Sequence, residues 1–103
     1  MPIYRVRKTA KFAMIANEVF EDPNLSWEAK GLLGYLLTKP DDWIVRLHDL
    51  VSNGPAGTHK VGRILRELER SGRMKRERRA RPDGTFEWEI SVYEHPSLNP
   101  DRQ

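Results

Sequence analysis

No cysteine occurs anywhere in the 103 residues. That removes disulfides, thiolate metal sites and cysteine nucleophiles, and it suits a reducing compartment. Apolar runs extend only a few residues, so no segment has the length of a membrane span, and the N-terminus lacks the apolar stretch of a signal peptide. A cytoplasmic protein is the default reading. Catalytic patterns are missing as well. His48 is followed by Asp49, yet no Ser or Cys nucleophile motif, HExxH pair or phosphate-binding Gly-rich loop accompanies it, and His48, His59 and His95 lack ligand spacing. Gly54-Pro55-Ala56-Gly57 lacks the strand before and the Lys-Ser/Thr after that a P-loop needs. The expectation is a non-enzymatic chain with no metal and no cofactor.

What the chain does have is charge, unevenly placed. With 38% apolar and 32% charged residues it is balanced for one soluble domain and too short for two separate cores. The formal net charge is only +3, but between His59 and Arg81 ten Lys or Arg face three Glu, leaving that segment strongly basic and the remainder acidic. Within it, six of the nine residues from Arg73 to Arg81 are Lys or Arg, with Glu77 the only acid. Arg5, Arg7, Lys8 and Lys11 form a smaller basic group without an acid among them. Such polarity fits one face for an anionic polymer and an opposite face that repels it.

Periodicity divides the chain into a basic arm over 1–10, a folded domain over 11–95 and an irregular tail over 96–103. Residues 11–15 (KFAMI) predict a short strand. Asp22-Pro23-Asn24 predicts a turn, after which Ser26 caps a helix with Glu28 in its first turn. Ala29, Leu32, Leu33, Leu36 and Leu37 form its core stripe, and it should end near Lys39, before Pro40. Gly31 and Gly34 inside it predict close approach of a neighbouring element. Trp27, Tyr35 and Trp43 read as core or core-edge residues. Residues 43–45 predict another short strand, and 46–53 a two-turn helix closed by the Gly-rich turn at 54–57. Thr58 caps a longer helix whose Val61, Ile64, Leu65 and Leu68 recur with a period of 3.6 and which stops at Gly72. Phe86, Trp88, Ile90 and Val92 then alternate with Glu87, Glu89 and Ser91, a strand paired through Pro82-Asp83-Gly84 with the basic run. The predicted register sets Lys75 opposite Ser91, Glu77 opposite Glu89, and Arg79 opposite Glu87 as an ion pair. It leaves Arg76 and Arg78 lying over Ile90 and Trp88.

Taking Val61 as zero on a helical wheel, His59, Arg63, Arg66 and Arg70 fall at about 160°, 200°, 140° and 180°. They make one basic ridge opposite the core, with Glu67 and Glu69 on its flanks. A solvated outer face accounts for such a ridge in this helix alone. The ridge nevertheless contains no acid of its own, follows a short helix and a Gly turn, and precedes a basic hairpin. This arrangement reads as an α+β winged helix-turn-helix, three helices with a C-terminal β-hairpin wing, and implies double-stranded DNA as partner. The contact candidates are Thr58, His59, Lys60, Arg63, Arg66 and Arg70 in the helix and Lys75, Arg79 and Arg81 in the hairpin, the last three being the cations on its free face. About five to eight phosphate contacts are expected. Arg5, Arg7 and Lys8 form either an arm reaching a neighbouring groove or a mobile terminus. A homodimer or adjacent copies on repeated half-sites would cover more DNA, but no dimer surface is legible. A module docking on an acidic protein partner, as inhibitor or adaptor, is the rival reading.

VFEDPNLSWEAKGLLGYLLTKPDDW and GRILRELERSGRMKRERRARPDGTFEWEISVYEHP resemble the winged-helix domain of phage and plasmid replication initiators and of small phage helix-turn-helix proteins, over about residues 12–96. The most specific parts are DPNLSWEAKGLL, KPDDW and the L-x-x-L-x-x-x-G-x-x-x-R-x-R run from Leu65 to Arg78. The resemblance implies duplex binding through Arg63, Arg66 and the Arg-rich hairpin. Arg46 stands where members of that family carry Ser or a similar cap, and initiators continue into further domains. The expectation is accordingly a small regulator of phage or mobile-element transcription or replication.

Overall fold

Two contacts from one helix organise the described residues, which are 1–102 in a computed structural model. The first lies at the start of α2 (Trp27–Leu37), where the Ser26 hydroxyl accepts from the Ala29 N–H at 3.1 Å. In a capping box the third residue of the helix would return a carboxylate to the cap, but that residue here is Ala29. Glu67 of α4 (Thr58–Arg70) supplies it instead, accepting from the Ser26 N–H and the Ser26 hydroxyl, each at 2.8 Å. The second contact joins Glu69 of α4 to Arg76 at 2.5 Å, fastening the helix to the strand that follows. Between these polar ties, Val61, Ile64, Leu65 and Leu68 bury against Ala29, Leu33 and Leu36 of α2, Leu50 of α3 (Leu47–Ser52) and Val19 of α1 (Glu18–Glu21).

The end of α4 determines what comes next. Gly72 adopts φ +85°, the left-handed conformation that glycine tolerates, and sends its N–H to Glu69 O while the Arg73 N–H bonds Leu68 O. That bond pair is a Schellman closure. It turns the chain directly into β1 (Met74–Ala80), which pairs antiparallel with β2 (Phe86–Val92). Met74↔Val92 through Ala80↔Phe86 follow the expected register without a slip. At the tip, Arg81 N–H bonds Thr85 O at 2.7 Å, Gly84 takes φ +87°, and Asp83 Oδ1 accepts from the Thr85 N–H and hydroxyl.

Arg73 sits at the joint and is buried, its side chain only 3% exposed. Its guanidinium reaches Glu18 and Asp22, both at 3.3 Å, and donates to the Glu94 carbonyl, while Nε has no partner. Its own carbonyl accepts from the Tyr93 N–H at 2.8 Å. One residue, through side chain and backbone together, therefore ties α1, the end of α4 and the base of the hairpin. The Asp22 carboxyl is held below its ordinary 3.8, first by the Asn24 N–H and then, against desolvation, by Arg73.

Among the described residues the architecture is α+β, four α-helices and a two-stranded antiparallel hairpin, and it differs from expectation in several places. A fourth helix, the single turn α1, forms just before the turn predicted at Asp22-Pro23-Asn24, where no element was expected. The strands predicted at 11–15 and 43–45 are absent, since neither segment pairs with another strand. The N-cap of α4 is Gly57, with Thr58 already helical. The tail is ordered into short 3-10 turns at Pro96–Leu98 and Pro100–Arg102, and buried Asn99 donates to Gly72 O at 2.9 Å. Gly34 meets its expectation, because a Cβ there would stand 3.1 Å from the Phe20 ring, whereas Gly31 faces open space. Trp27 is 80% exposed rather than core, with the Lys30 ammonium over its ring at 4.4 Å. No helix among the described residues is long and apolar enough to cross a membrane.

Removing the joint should be costly. Arg73→Ala leaves Glu18 and Asp22 facing a buried gap, and urea unfolding should register a loss of about 3 kcal/mol, the lower end for breaking a buried charge cluster because both carboxylates keep some water. The Asp22 contribution is present above the ordinary carboxylate value and disappears as pH falls through its lowered one, so the wild type should lose stability more steeply below pH 3.8 than Asp22→Asn. Equal acid sensitivity of the two proteins would exclude this role.

Candidate nucleic-acid interface

The outer side of α4 carries Thr58, His59, Lys60, Arg63, Arg66 and Arg70, all exposed. The helix brings them together because its apolar stripe is fully engaged with α2 and α3, leaving only this side to solvent. Its own carboxylates are turned to structural contacts, Glu67 on Ser26 and Glu69 on Arg76. An acid from elsewhere enters the ridge, however. Glu28, in the first turn of α2, accepts from Arg63 at 2.9 Å and lies 3.8 Å from the Lys60 ammonium. The wheel placed no carboxylate here because it describes one helix, and Glu28 is supplied by the neighbour. Arg66 has no ion-pair partner among the described residues, and its guanidinium lies back along the helix over Gly62.

The three cations on the free face of the hairpin are all paired. Lys75 reaches Glu77 at 3.0 Å and Asp101 at 3.4 Å. Arg79 reaches Glu89 at 2.6 Å and Glu77 at 3.3 Å, and Arg81 reaches Glu87 at 2.8 Å. Three cations and three glutamates thus share one hairpin face. The expected Arg79–Glu87 pair is replaced by diagonal ones: Arg79 skips Glu87 for Glu89, and Arg81, opposite Thr85, takes Glu87. The opposite face shows the reverse diagonal, with Arg78 over Phe86 at 4.0 Å and Arg76 over Trp88 at 5.7 Å. Both shifts follow from the strand twist, which shortens one diagonal on each face.

Half of the expected division of labour holds. Arg76 and Arg78 do lie over the apolar face, each on the ring one pair along from the residue expected, with Arg78 still exposed, whereas Lys75, Arg79 and Arg81 are held by acids. Position in an alternating pattern gives a side chain its face but not the neighbour it selects. Arg46, also exposed, precedes α3 without any side-chain cap.

Hydrogen bonding to Lys75 is the largest influence holding the Glu77 carboxyl below its ordinary 4.5, and the Lys75 ammonium is correspondingly raised. Compared with family models, curated proteins and solved structures, the chain finds no match.

These pairs have a direct readout. The Glu77 carboxyl, followed by carbon-detected NMR, should titrate below 4.5 in the wild type and move up in Lys75→Ala. Because the folded value is lowered, the pair holds above the ordinary carboxylate range and is lost as pH falls through the lowered value. An unchanged titration in the variant would remove Lys75 as the cause.

Proposed function

We propose that this chain is a winged helix-turn-helix protein that binds double-stranded DNA with sequence dependence, as a small regulator of phage or mobile-element transcription or replication. In this reading α3, the turn at 54–57 and α4 form the helix-turn-helix, α4 enters the major groove, and the β1–β2 hairpin is the wing on the backbone or adjacent minor groove. The observation that carries it is the outer face of α4, where basic side chains gather while the helix's own two glutamates are committed to Ser26 and Arg76.

Each group then has a role. Arg66, without an acid, is the best placed to pair with a guanine edge or a phosphate, and Arg63 joins it by exchanging Glu28 for DNA. That exchange is inexpensive, since exposed ion pairs contribute at most about 1 kcal/mol. Thr58, His59 and Lys60 line the N-terminal end of the ridge and Arg70 its far end. Wing contacts through Lys75, Arg79 and Arg81 are weaker than their number suggests, because each releases a carboxylate beside the phosphates. The neutralised wing, with Phe86 and Trp88 more than half exposed, is the feature that favours the rival reading of a protein-docking module.

Duplex binding by fluorescence anisotropy separates the readings. Arg66→Ala should lower affinity for a selected site by about tenfold and flatten its preference over random duplex. Glu28→Gln should tighten binding to any duplex, while Arg79→Ala and Arg81→Ala should each cost less than Arg66→Ala. The slope of log affinity on log salt should be about −4.5, the shallow end of the range for the expected phosphate contacts. If wild type, Arg63→Ala and Arg66→Ala bind duplex alike at moderate salt, the DNA reading is wrong.

A further inference from the structure

Strand β2 is paired along one side only. Arg81 N–H bonds Thr85 O and Tyr93 N–H bonds Arg73 O at the two ends of the ladder. Antiparallel positions alternate between bonded and non-bonded pairs, so Glu87, Glu89 and Ser91 bond to β1. Phe86, Trp88, Ile90 and Val92 consequently turn their N–H and C=O groups to the open edge. That edge borders a groove of about 560 Å³, walled on its other side by the extended residues 43–45 and lined at its base by Leu36 and Leu37. Trp43, Ile44 and Trp88 remain more than half exposed at its margins. Asp41 and Asp42 also line it and have no ion-pair partner among the described residues. An unpaired edge beside apolar side chains is a template for another strand.

The chain carries a segment with the matching properties. Residues 1–8 belong to no element and are exposed throughout, including Ile3 at 69%, Tyr4 at 91% and Val6 at 81%. In an extended conformation Tyr4 and Val6 share one face and Arg5 and Arg7 the other. Neither arginine has an ion-pair partner among the described residues, and Asp41 and Asp42 offer them carboxylates in a groove that Lys39, its ammonium over the Tyr35 and Trp43 rings, and Arg46 also line. The arm is rooted where Ile15 packs on the core and the Ala16 N–H meets Glu94, and none of residues 1–10 lines the chain's own groove. The radius of gyration of 15.2 Å, against about 13 Å for a compact chain of this length, fits an arm and a hairpin that project outward.

We infer that two copies of this chain associate by reciprocal strand addition, residues 3–7 of each copy pairing with the 88–92 edge of the other, and Arg5 and Arg7 meeting Asp41 and Asp42. Each copy offers one arm and one groove, and a reciprocal exchange satisfies all four in a closed two-fold dimer, whereas one-way addition would give an open chain of copies. This goes beyond DNA binding and does not depend on it.

Sedimentation of the whole chain without DNA, over a wide concentration range, tests the pairing. A concentration-dependent dimer is expected. Arg5→Pro combined with Val6→Pro, which removes an arm N–H donor in either register and touches no packed residue, should weaken it by about tenfold or more. Asp41→Lys with Asp42→Lys should weaken it similarly, and adding Arg5→Glu with Arg7→Glu to that chain should restore it. A monomer at every concentration would overturn the inference. So would a dimer indifferent to the prolines, a charge reversal without rescue, or a monomer whose Trp88 and Ile90 amides are protected by its own chain.

Discussion

The buried Arg73 guanidinium is the constraint on which the arrangement of the two basic elements depends. It follows the Gly72 closure of α4, and its three contacts with Glu18, Asp22 and the Glu94 carbonyl leave the chain one direction in which to begin the hairpin. Hydrophobic burial alone would not fix that direction, because apolar contacts are roughly proportional to area and tolerate rotation. Glu69 on Arg76 and Asn99 on Gly72 act at the same joint. A surface made of one helix face and one hairpin can have a defined shape only if the angle between them is held, and these polar contacts hold it.

Much of the architecture was legible because period and turn chemistry are local. The stripes of α2 and α4, the Ser26 cap, the closure at Gly72 and the whole hairpin register follow from residues close in sequence. The segments at 11–15 and 43–45 misled for a physical reason: a strand exists through its partner, and a short apolar run is equally compatible with an unpaired extended segment. Arg73 was hidden inside a basic run. A signal for it did exist, since the residue directly after a helix-closing glycine commonly packs back on the last turn.

Charge was less legible than backbone. A wheel or an alternation pattern gives the face of a side chain, but Glu28 reaches Arg63 from a helix 35 residues away, and strand twist selects diagonal partners for Arg79 and Arg81. The result is an economy of acids: Glu67 and Glu69 hold the fold, Glu28 quiets part of the α4 ridge, and three glutamates neutralise the hairpin. Only a subset of the eighteen Lys and Arg is then available to a polyanion without displacing an internal partner. On the proposed reading, this would restrain indiscriminate binding by a basic protein and place the weight of recognition on α4.

On the proposed reading, the exposed side of α4, rather than the hairpin face alone, meets DNA. Titration of the isotope-labelled chain with a short duplex, followed by amide NMR, is the decisive test. The largest salt-sensitive shifts should fall at residues 58–70, with smaller ones along the hairpin. Shifts confined to the groove beside β2, or an unperturbed α4 at saturating duplex, would show that α4 is not the reading element.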